Sequence, residues 1–196
     1  MPGRVLNDGV ADPEAATSTR PPPANVTICA CEEGHVAAVT TIYAHHVLHG
    51  LASFEIVPPS EKEMRRRRLD IVGRSYPYLV AECAGEVVGY AYAAPYRPRP
   101  AYRHTAENSV YLHPAWAGRG IGRQLMSALL VECEARGVRQ IVAVIGDSAN
   151  CASIGLHKTL GFREVGVLRS VGFKFGRWVD SVLMQRDLGD GDTTPP

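Results

Sequence analysis

The fold of this chain is indicated most strongly by one continuous segment, Val110-Tyr111-Leu112-His113-Pro114-Ala115-Trp116-Ala117-Gly118-Arg119-Gly120-Ile121-Gly122-Arg123-Gln124-Leu125-Met126. An apolar strand leads through a turn marked by Pro114 into a glycine-rich loop, and an amphipathic helix follows. Glycines let backbone N–H groups approach a bound anion closely, and a helix N-terminus adds unpaired N–H groups and the positive end of its dipole. The segment therefore predicts a cradle for a diphosphate.

Other phosphate-binding motifs fit this segment poorly. The three glycines, Gly118, Gly120 and Gly122, do not have the G-x-G-x-x-G spacing of a dinucleotide fingerprint, and no Lys-Ser or Lys-Thr pair follows as in a P-loop. A flexible strand-to-helix turn without a ligand is the plain alternative. Arg119 and Arg123 favour a phosphate-bearing ligand, because guanidinium groups pair well with phosphate oxygens.

The composition points to one folded domain. The chain has 196 residues, of which 45% are hydrophobic and 21% charged, and its formal net charge is +1. This balance argues against a nucleic-acid partner or an anionic membrane surface. The dense basic run Arg65-Arg66-Arg67-Arg68 is interpreted as the solvated side of a short helix, with Ser60 and Glu63 as a capping box at its start.

The cysteine pattern indicates neither a disulfide framework nor a metal site. The five cysteines are scattered and form no C-x-x-C pair. The sequence also lacks an apolar run of about 18 residues, which a membrane-spanning helix needs, and an apolar signal core. We therefore expect a soluble, cytoplasmic protein with no membrane partner and no metal.

Three parts of the chain are distinguished by composition. Residues 1–24 are expected to be a disordered leader, residues 25–188 the folded domain, and residues 189–196 a flexible tail. Within the domain, periodicity and turn residues predict strands at 26–28, 78–83, 87–94, 109–112, 140–145, 163–170 and 178–186, and helices at 32–48, after residue 60, from the glycine loop to about 136, and at 150–160. This order predicts an α+β, or mixed α/β, fold with helices on both faces of one sheet.

Six sequence words in this order resemble the GCN5-related N-acetyltransferase superfamily (GNAT), and within it the phosphinothricin and methionine sulfone N-acetyltransferase group. They are Leu51-Ala52-Ser53-Phe54-Glu55, residues 102–114, Gly118 to Gly122, Val142-Ala143-Val144-Ile145-Gly146, residues 150–162 with Asn150, Ser153 and His157, and Val171-Gly172-Phe173-Lys174-Phe175-Gly176-Arg177-Trp178 with Asp180. The resemblance covers roughly residues 26 to 187. It implies a mostly antiparallel twisted sheet with a splayed pair of strands.

The resemblance also implies the ligand of the glycine loop, which is acetyl-CoA. Its diphosphate is expected on the backbone N–H groups of residues 118–123, and its pantetheine arm along the exposed strand edge. The residues that the resemblance assigns to the cofactor are Val110, Tyr111, Leu112, Gly118, Arg119, Gly120, Ile121, Gly122, Arg123 and Asn150.

Two residues are the candidates for acid–base chemistry. An amine must lose a proton before it attacks a thioester, and the resemblance assigns the general base to Glu107, placed just before the cofactor-binding strand. A solvated charge at a strand edge is the alternative for a lone glutamate. His157 lies where many superfamily members carry an acid for the leaving thiolate, and a packing or capping histidine is the equally open alternative.

The acceptor is expected to be a small molecule with a free amine and a carboxylate. Arg103 and Thr105 match substrate-contacting positions of the sulfone-acting relatives, and Phe54 resembles the aromatic wall of their pocket. For Phe54 taken alone, core packing is the better interpretation. Residues 174–180 match a region that the family places near the active site and a two-fold interface, so a homodimer is implied. The open alternatives are another small amine or amino acid as acceptor, a non-catalytic acyl-CoA sensor, and acetylation of protein amines.

Overall fold

The structure, a computed structural model, describes residues 25–196, so the predicted leader at 1–24 lies outside the described residues. Along the chain its elements are β1 (Val26–Ala30), α1 (Val36–His49), α2 (Glu61–Gly73), β2 (Tyr78–Cys83), β3 (Glu86–Pro95), β4 (Thr105–Leu112), α3 (Ile121–Ala135), β5 (Gln140–Gly146), α4 (Cys151–Thr159), β6 (Arg163–Lys174) and β7 (Arg177–Asp187). The strands form one sheet in the order β1-β2-β3-β4-β5-β7-β6. All neighbours are antiparallel except β4 and β5, which are parallel. The predicted mixed α/β fold is confirmed.

Several predicted boundaries were wrong. The strand expected at 109–112 begins at Thr105, because residues 105–108 pair with β3 on one side and with β5 on the other. Glu107 therefore lies inside a strand and does not precede it. The strand expected at 163–170 runs on to Lys174 as half of a long hairpin, and the predicted helix at 32–48 begins with a short 3-10 turn before Val36.

The helices cover the two faces of the sheet, and each face has its own core. On one face α3 buries Leu125, Met126 and Leu129 against the sheet. On the other, α1 and α2 pack over stacked tyrosines, with Tyr78 and Tyr92 only 5.0 Å apart between ring centroids. Side chains alternate between the faces along each strand. Two successive residues of a central strand therefore meet different surroundings.

The start of α2 confirms the Ser60 half of the predicted capping box, while the Glu63 carboxylate pairs with arginines instead of the Ser60 backbone N–H. Ser60 is the N-cap of α2, and the Ser60 side chain accepts a hydrogen bond from the Glu63 backbone N–H. The four arginines that follow lie on this helix, where Arg66 and Arg67 pair with Glu63. Arg65 also pairs with carboxylates, whereas Arg68 donates to the Cys31 carbonyl oxygen. Helix α2 extends to Gly73, beyond the short helix expected.

Residues 189–196 form turns that contact the domain. Arg139 pairs with Asp190 at 3.2 Å and donates a hydrogen bond to the Thr194 hydroxyl at 2.9 Å. Flexibility of this tail stays a prediction. Among the described helices, none has the length and apolarity that crossing a bilayer requires.

Candidate active site

The parallel strands β4 and β5 separate part of the way along the sheet. Their pairing runs from Thr105 opposite Gln140 to Asn108 opposite Ala143 and then stops, while β4 stays paired with β3 as far as Leu112. Beyond Asn108 the β5 side of β4 therefore has backbone groups without a strand partner. A polar chain of suitable spacing can add to such an edge as an extra strand does.

A cavity of about 860 Å³ lies along this exposed edge. Eight of the ten residues predicted to contact the cofactor line it: Val110, Tyr111, Leu112, Gly118, Gly120, Gly122, Arg123 and Asn150. Of the other two, Ile121 is fully buried in the core, so its side chain is not available to a ligand. The Arg119 guanidinium lies over the Trp116 ring, 4.8 Å from its centroid.

The glycine loop at one end of the cavity is shaped for an anion. Gly118 and Gly120 have φ values of 73° and 75°, a region that side chains rarely adopt, and a Cβ at either position would meet open space. Gly120 is the N-cap of α3, and Gln124 N donates to Gly120 O. The backbone N–H groups of residues 121–123, in the first turn of α3, therefore have no partner within the helix. Unpaired N–H groups beside an open glycine turn can bind an anion, and their role as a diphosphate cradle stays a prediction.

Asn150 holds the start of α4 at the other wall. Its Oδ1 accepts a hydrogen bond from Ser153 N at 3.1 Å, so the residue is a helix N-cap. Its Nδ2 lies 3.5 Å from the Gly146 carbonyl oxygen, which leaves donor capacity toward the cavity.

A histidine that the sequence patterns did not single out fixes the free end of β4. His46 Nε2 lies 2.8 Å from the Leu112 carbonyl oxygen. A carbonyl can only accept, so Nε2 carries the proton and donates it. Burial lowers the pKa of His46, which keeps the ring neutral. This bond ties α1 to the exposed strand, which lacks a β5 partner there.

Glu107 lies on the α1/α2 face of β4, one residue before the strands separate. It pairs across the sheet with Ala94 and Val142, and it is half-buried. Desolvation raises the pKa of its carboxyl above the usual value, and Arg97 opposes this shift. A carboxylate with a raised pKa is a stronger proton acceptor.

His157 belongs to α4, which packs on the opposite face of the sheet. It is 2% exposed, and both of its ring nitrogens have partners: Nδ1 the Ser153 carbonyl at 2.8 Å, and Nε2 the Asn108 Nδ2 at 2.9 Å. Burial lowers the pKa of His157. The acid role stays a prediction, and these contacts favour the packing interpretation.

The predicted acceptor residues lie on the Glu107 side of the sheet or at its edge. Phe54 is 40% exposed, and its ring covers Gly172, where an added Cβ would come within 2.5 Å of Phe54 Cε2. Thr105 is two residues from Glu107 and on the same face of β4, and Arg103 is exposed just before the strand. Phe54, Arg103 and Thr105 do not line the large cavity within the described part of the chain.

Lys174 received no individual role from the sequence, yet it anchors the loop that carries Phe54. The residue is 4% exposed, and its ammonium donates to the Gly50 and Ser53 carbonyl oxygens at 2.8 and 2.7 Å. Ser53 Oγ in turn lies 2.9 Å from the Tyr43 hydroxyl. The signal in the sequence was one lysine within an aromatic hairpin, and such a pattern does not show what the lysine contacts.

Comparison with known proteins defines the class. Residues 42–162 match the family described as Acetyltransferase (GNAT) family, and the chain belongs to this family. It is an acetyl-CoA-dependent N-acetyltransferase.

Individual relatives have names that specify an acceptor. A phosphinothricin N-acetyltransferase of Alcaligenes faecalis is 54% identical over 173 residues, covering 86% of this chain and 88% of that protein. An L-methionine sulfoximine/L-methionine sulfone acetyltransferase of Salmonella typhimurium is 40% identical over 167 residues, covering 84% and 96%. The crystal structure of a GNAT superfamily phosphinothricin acetyltransferase from Sinorhizobium meliloti in complex with AcCoA superimposes with a TM-score of 0.85 at 46% identity, covering 87% and 92%.

The residues of this chain fit acetyl-CoA. The open glycine cradle suits its diphosphate, and the exposed β4 edge suits the amide groups of its pantetheine arm. Within residues 25–196, no group of three or more His, Cys, Asp or Glu side chains is arranged to hold a metal ion.

Proposed function

We propose that this enzyme acetylates the free amine of a small amino-acid-like acceptor of the phosphinothricin, methionine sulfone or methionine sulfoximine type, with Glu107 as general base. One observation carries the proposal: a half-buried carboxylate lies one residue before the point where β4 and β5 separate. The names of the relatives supply the acceptor class.

In this proposal the acetyl donor and the acceptor bind at different places on the sheet. The glycine loop and Asn150 hold acetyl-CoA along the exposed edge of β4, and acetyl-CoA supplies the acetyl group as a thioester. Glu107 is on the α1/α2 face, so an acceptor beside it meets the acetyl group through the gap between the strands. Glu107 takes a proton from the ammonium form of the acceptor, directly or through water, and so frees the lone pair that attacks the thioester carbonyl. The C–S bond breaks as the new C–N bond forms, and the departing CoA sulfur takes up the proton that the attacking nitrogen gives up.

The loop that carries Phe54, on the same face of the sheet as Glu107, supports a small acceptor. The Lys174 ammonium donates a hydrogen bond to the Ser53 carbonyl oxygen in the loop with Phe54. The same loop packs against Gly146, where an added Cβ would come within 2.2 Å of the Leu51 carbonyl oxygen. A loop so closely packed leaves little room for a protein substrate. Arg103 and Thr105, near the start of β4, are the proposed carboxylate-binding residues, because an Arg fork matches a carboxylate.

A homodimer is part of the proposal. The β6–β7 hairpin exposes large apolar side chains, among them Phe173 at 57%, Phe175 at 59% and Trp178 at 66%. Apolar clusters of this kind mark protein–protein contacts. Sedimentation of the wild type and of Trp178→Lys tests the assignment: we expect a dimer that the substitution weakens, and a monomeric wild type contradicts it. We also place the enzyme in the cytoplasm, which the five unpaired cysteine thiols support.

A thiol-release assay with acetyl-CoA tests the acceptor class. The panel contains phosphinothricin, methionine sulfone, methionine sulfoximine, free amino acids, polyamines and a peptide. We expect the highest kcat/KM with the first three. A higher kcat/KM with another amine would move the acceptor class to that amine, and binding of acetyl-CoA without turnover on any acceptor would favour a non-catalytic sensor.

A further inference from the structure

Asn108 is a buried residue with one polar atom that lacks a partner. It is 5% exposed and occupies the last paired position of β4 and β5, opposite Ala143. Its Nδ2 lies 2.9 Å from His157 Nε2 and 3.7 Å from Met126 Sδ. Its Oδ1 is buried and has no hydrogen-bond partner among the described residues. An acceptor left in this state costs folding free energy, so a hydrogen-bond donor from outside the protein is expected beside it.

The hydrogen bonds of His157 determine which way the Asn108 amide points. The Ser153 carbonyl oxygen, 2.8 Å from His157 Nδ1, can only accept, so Nδ1 carries the proton. In the neutral ring Nε2 is then an acceptor. Asn108 must present its NH₂ group to Nε2, and its Oδ1 is held away from the histidine. The orientation of the amide thus follows from the backbone of α4.

Asn108 and His157 both line a small cavity of about 50 Å³ at the inner end of the cleft. This cavity shares Val110, Tyr111 and Asn150 with the large cavity, so the two are adjacent. A ligand arm that lies along β4 and continues toward the paired part of the strands reaches the small cavity last. The unpartnered oxygen belongs to the residue at that end.

We infer that Asn108 Oδ1 accepts a hydrogen bond from the pantetheine amide N–H nearest the thioester, and that His157 is a positioning residue acting through Asn108. The acetyl thioester carries no donor, and this amide is the first donor along the arm. The chemistry of the two groups is complementary. The inference rests on acetyl-CoA as co-substrate and is independent of the acceptor.

Calorimetric titration of Asn108→Leu, which has similar volume and no acceptor, tests the contact. Three probes are used: acetyl-CoA, desulfo-CoA, which keeps the amide but lacks sulfur, and adenosine 3′-phosphate 5′-diphosphate, which lacks the arm. We expect Kd to rise about tenfold, or ~1.4 kcal/mol, for the first two. The armless ligand is expected to bind as to the wild type.

Three other results would each overturn the inference. If the Kd of adenosine 3′-phosphate 5′-diphosphate rises as much as that of acetyl-CoA, the substitution has damaged the cleft in general. If the Kd of acetyl-CoA is unchanged, no contact has been lost. If the Kd rises for acetyl-CoA but not for desulfo-CoA, the lost contact was with the sulfur end of the arm and not with the amide. Failure of the wild type to bind acetyl-CoA would instead refute the cofactor assignment itself, so the two failures are distinguishable.

The role of His157 has a separate readout. For His157→Phe we expect a several-fold rise in KM for acetyl-CoA, unchanged kcat at saturation and an unchanged pH profile of kcat. Adding Asn108→Leu to this variant should give less than the sum of the two separate effects on binding, because both act through one hydrogen bond. A lower kcat at saturation with an altered basic limb would restore His157 as the acid and overturn the positioning role.

Discussion

Replacing Glu107 with glutamine should lower turnover while leaving acetyl-CoA binding unchanged. The substitution keeps the size of the side chain and removes its capacity to take a proton. Glu107 lies on the α1/α2 face of β4 and outside the lining of both the large and the small cavity of the described chain. The Kd of acetyl-CoA, measured by calorimetry, should therefore stay within about twofold of the wild type, a tolerance of ~0.4 kcal/mol.

The size of the loss follows from the role. A positioned general base contributes about 10²–10⁴-fold to a rate. The raised pKa of Glu107 places its proton affinity nearer that of the amine, which favours a loss above the lower end of that range. We expect kcat to fall by about 10³-fold. In the wild type, kcat/KM should fall as the pH drops through the raised pKa, because the protonated carboxyl is no base.

The same substitution should stabilise the fold at neutral pH. Burial raises the pKa of Glu107 above its unfolded value. The folded state is therefore destabilised as the pH rises from the unfolded pKa to the folded pKa, and the full cost remains at higher pH. Glutamine removes this charge. Thermal unfolding should show a higher Tm for Glu107→Gln at pH 7 to 8, and the difference should disappear at a pH below the unfolded pKa.

The exposed Glu86, at the start of β3, provides the matched control. Glu86→Gln should leave kcat at the wild-type value, and the Tm of this variant should match that of the wild type at both pH values. Wild-type kcat in Glu107→Gln at saturating amine would remove Glu107 from the mechanism. Lower kcat with a lower Tm at neutral pH would indicate a structural role and contradict the reasoning from burial.

Three further predictions concern the acceptor side. Arg103→Ala should raise KM for carboxylate-bearing amines without changing the Kd of acetyl-CoA; steady-state kinetics check this, and an unchanged KM counts against carboxylate binding. Lys174→Met should lower the free energy of unfolding by about 2–3 kcal/mol, because the Gly50 and Ser53 carbonyl oxygens lose a charged donor. It should also raise KM for the acceptor; urea unfolding and steady-state kinetics measure the two effects, and wild-type values contradict the anchoring role. Gly146→Ala should lower the free energy of unfolding by about 1–3 kcal/mol, because the added Cβ would come within 2.2 Å of a backbone oxygen. The control, Gly166→Ala, has open space around its Cβ and should unfold at nearly the wild-type urea concentration.

The order of the elements and the glycine cradle could be predicted from the sequence because both depend on local patterns. A proline-marked turn, spaced glycines and an amphipathic helix specify their structure over a few residues. The boundaries were harder. Residues 105–108 carry polar side chains at Thr105, Glu107 and Asn108, and they are strand because β3 and β5 pair with them on both sides.

The candidate site shows the same division. Eight of the ten predicted cofactor residues line the large cavity, since a loop and the strand before it are neighbours in the chain. The hydrogen bonds from His46 to Leu112 and from Lys174 to Gly50 join residues 66 and 124 positions apart, and no local pattern records them.

The sequence by itself determined the class of the enzyme, and it was enough to predict the glycine loop for the cofactor and the glutamate proposed as base, because each of these depends on a short contiguous segment. Only the tertiary structure decided that Glu107 and His157 lie on opposite faces of the sheet, although both belonged to one expected acid–base pair. The physical reason is the alternation of side chains along β4: Glu107 faces α1 and α2, and the next residue, Asn108, faces α4. Which helix covers each face depends on how the whole chain packs around the sheet.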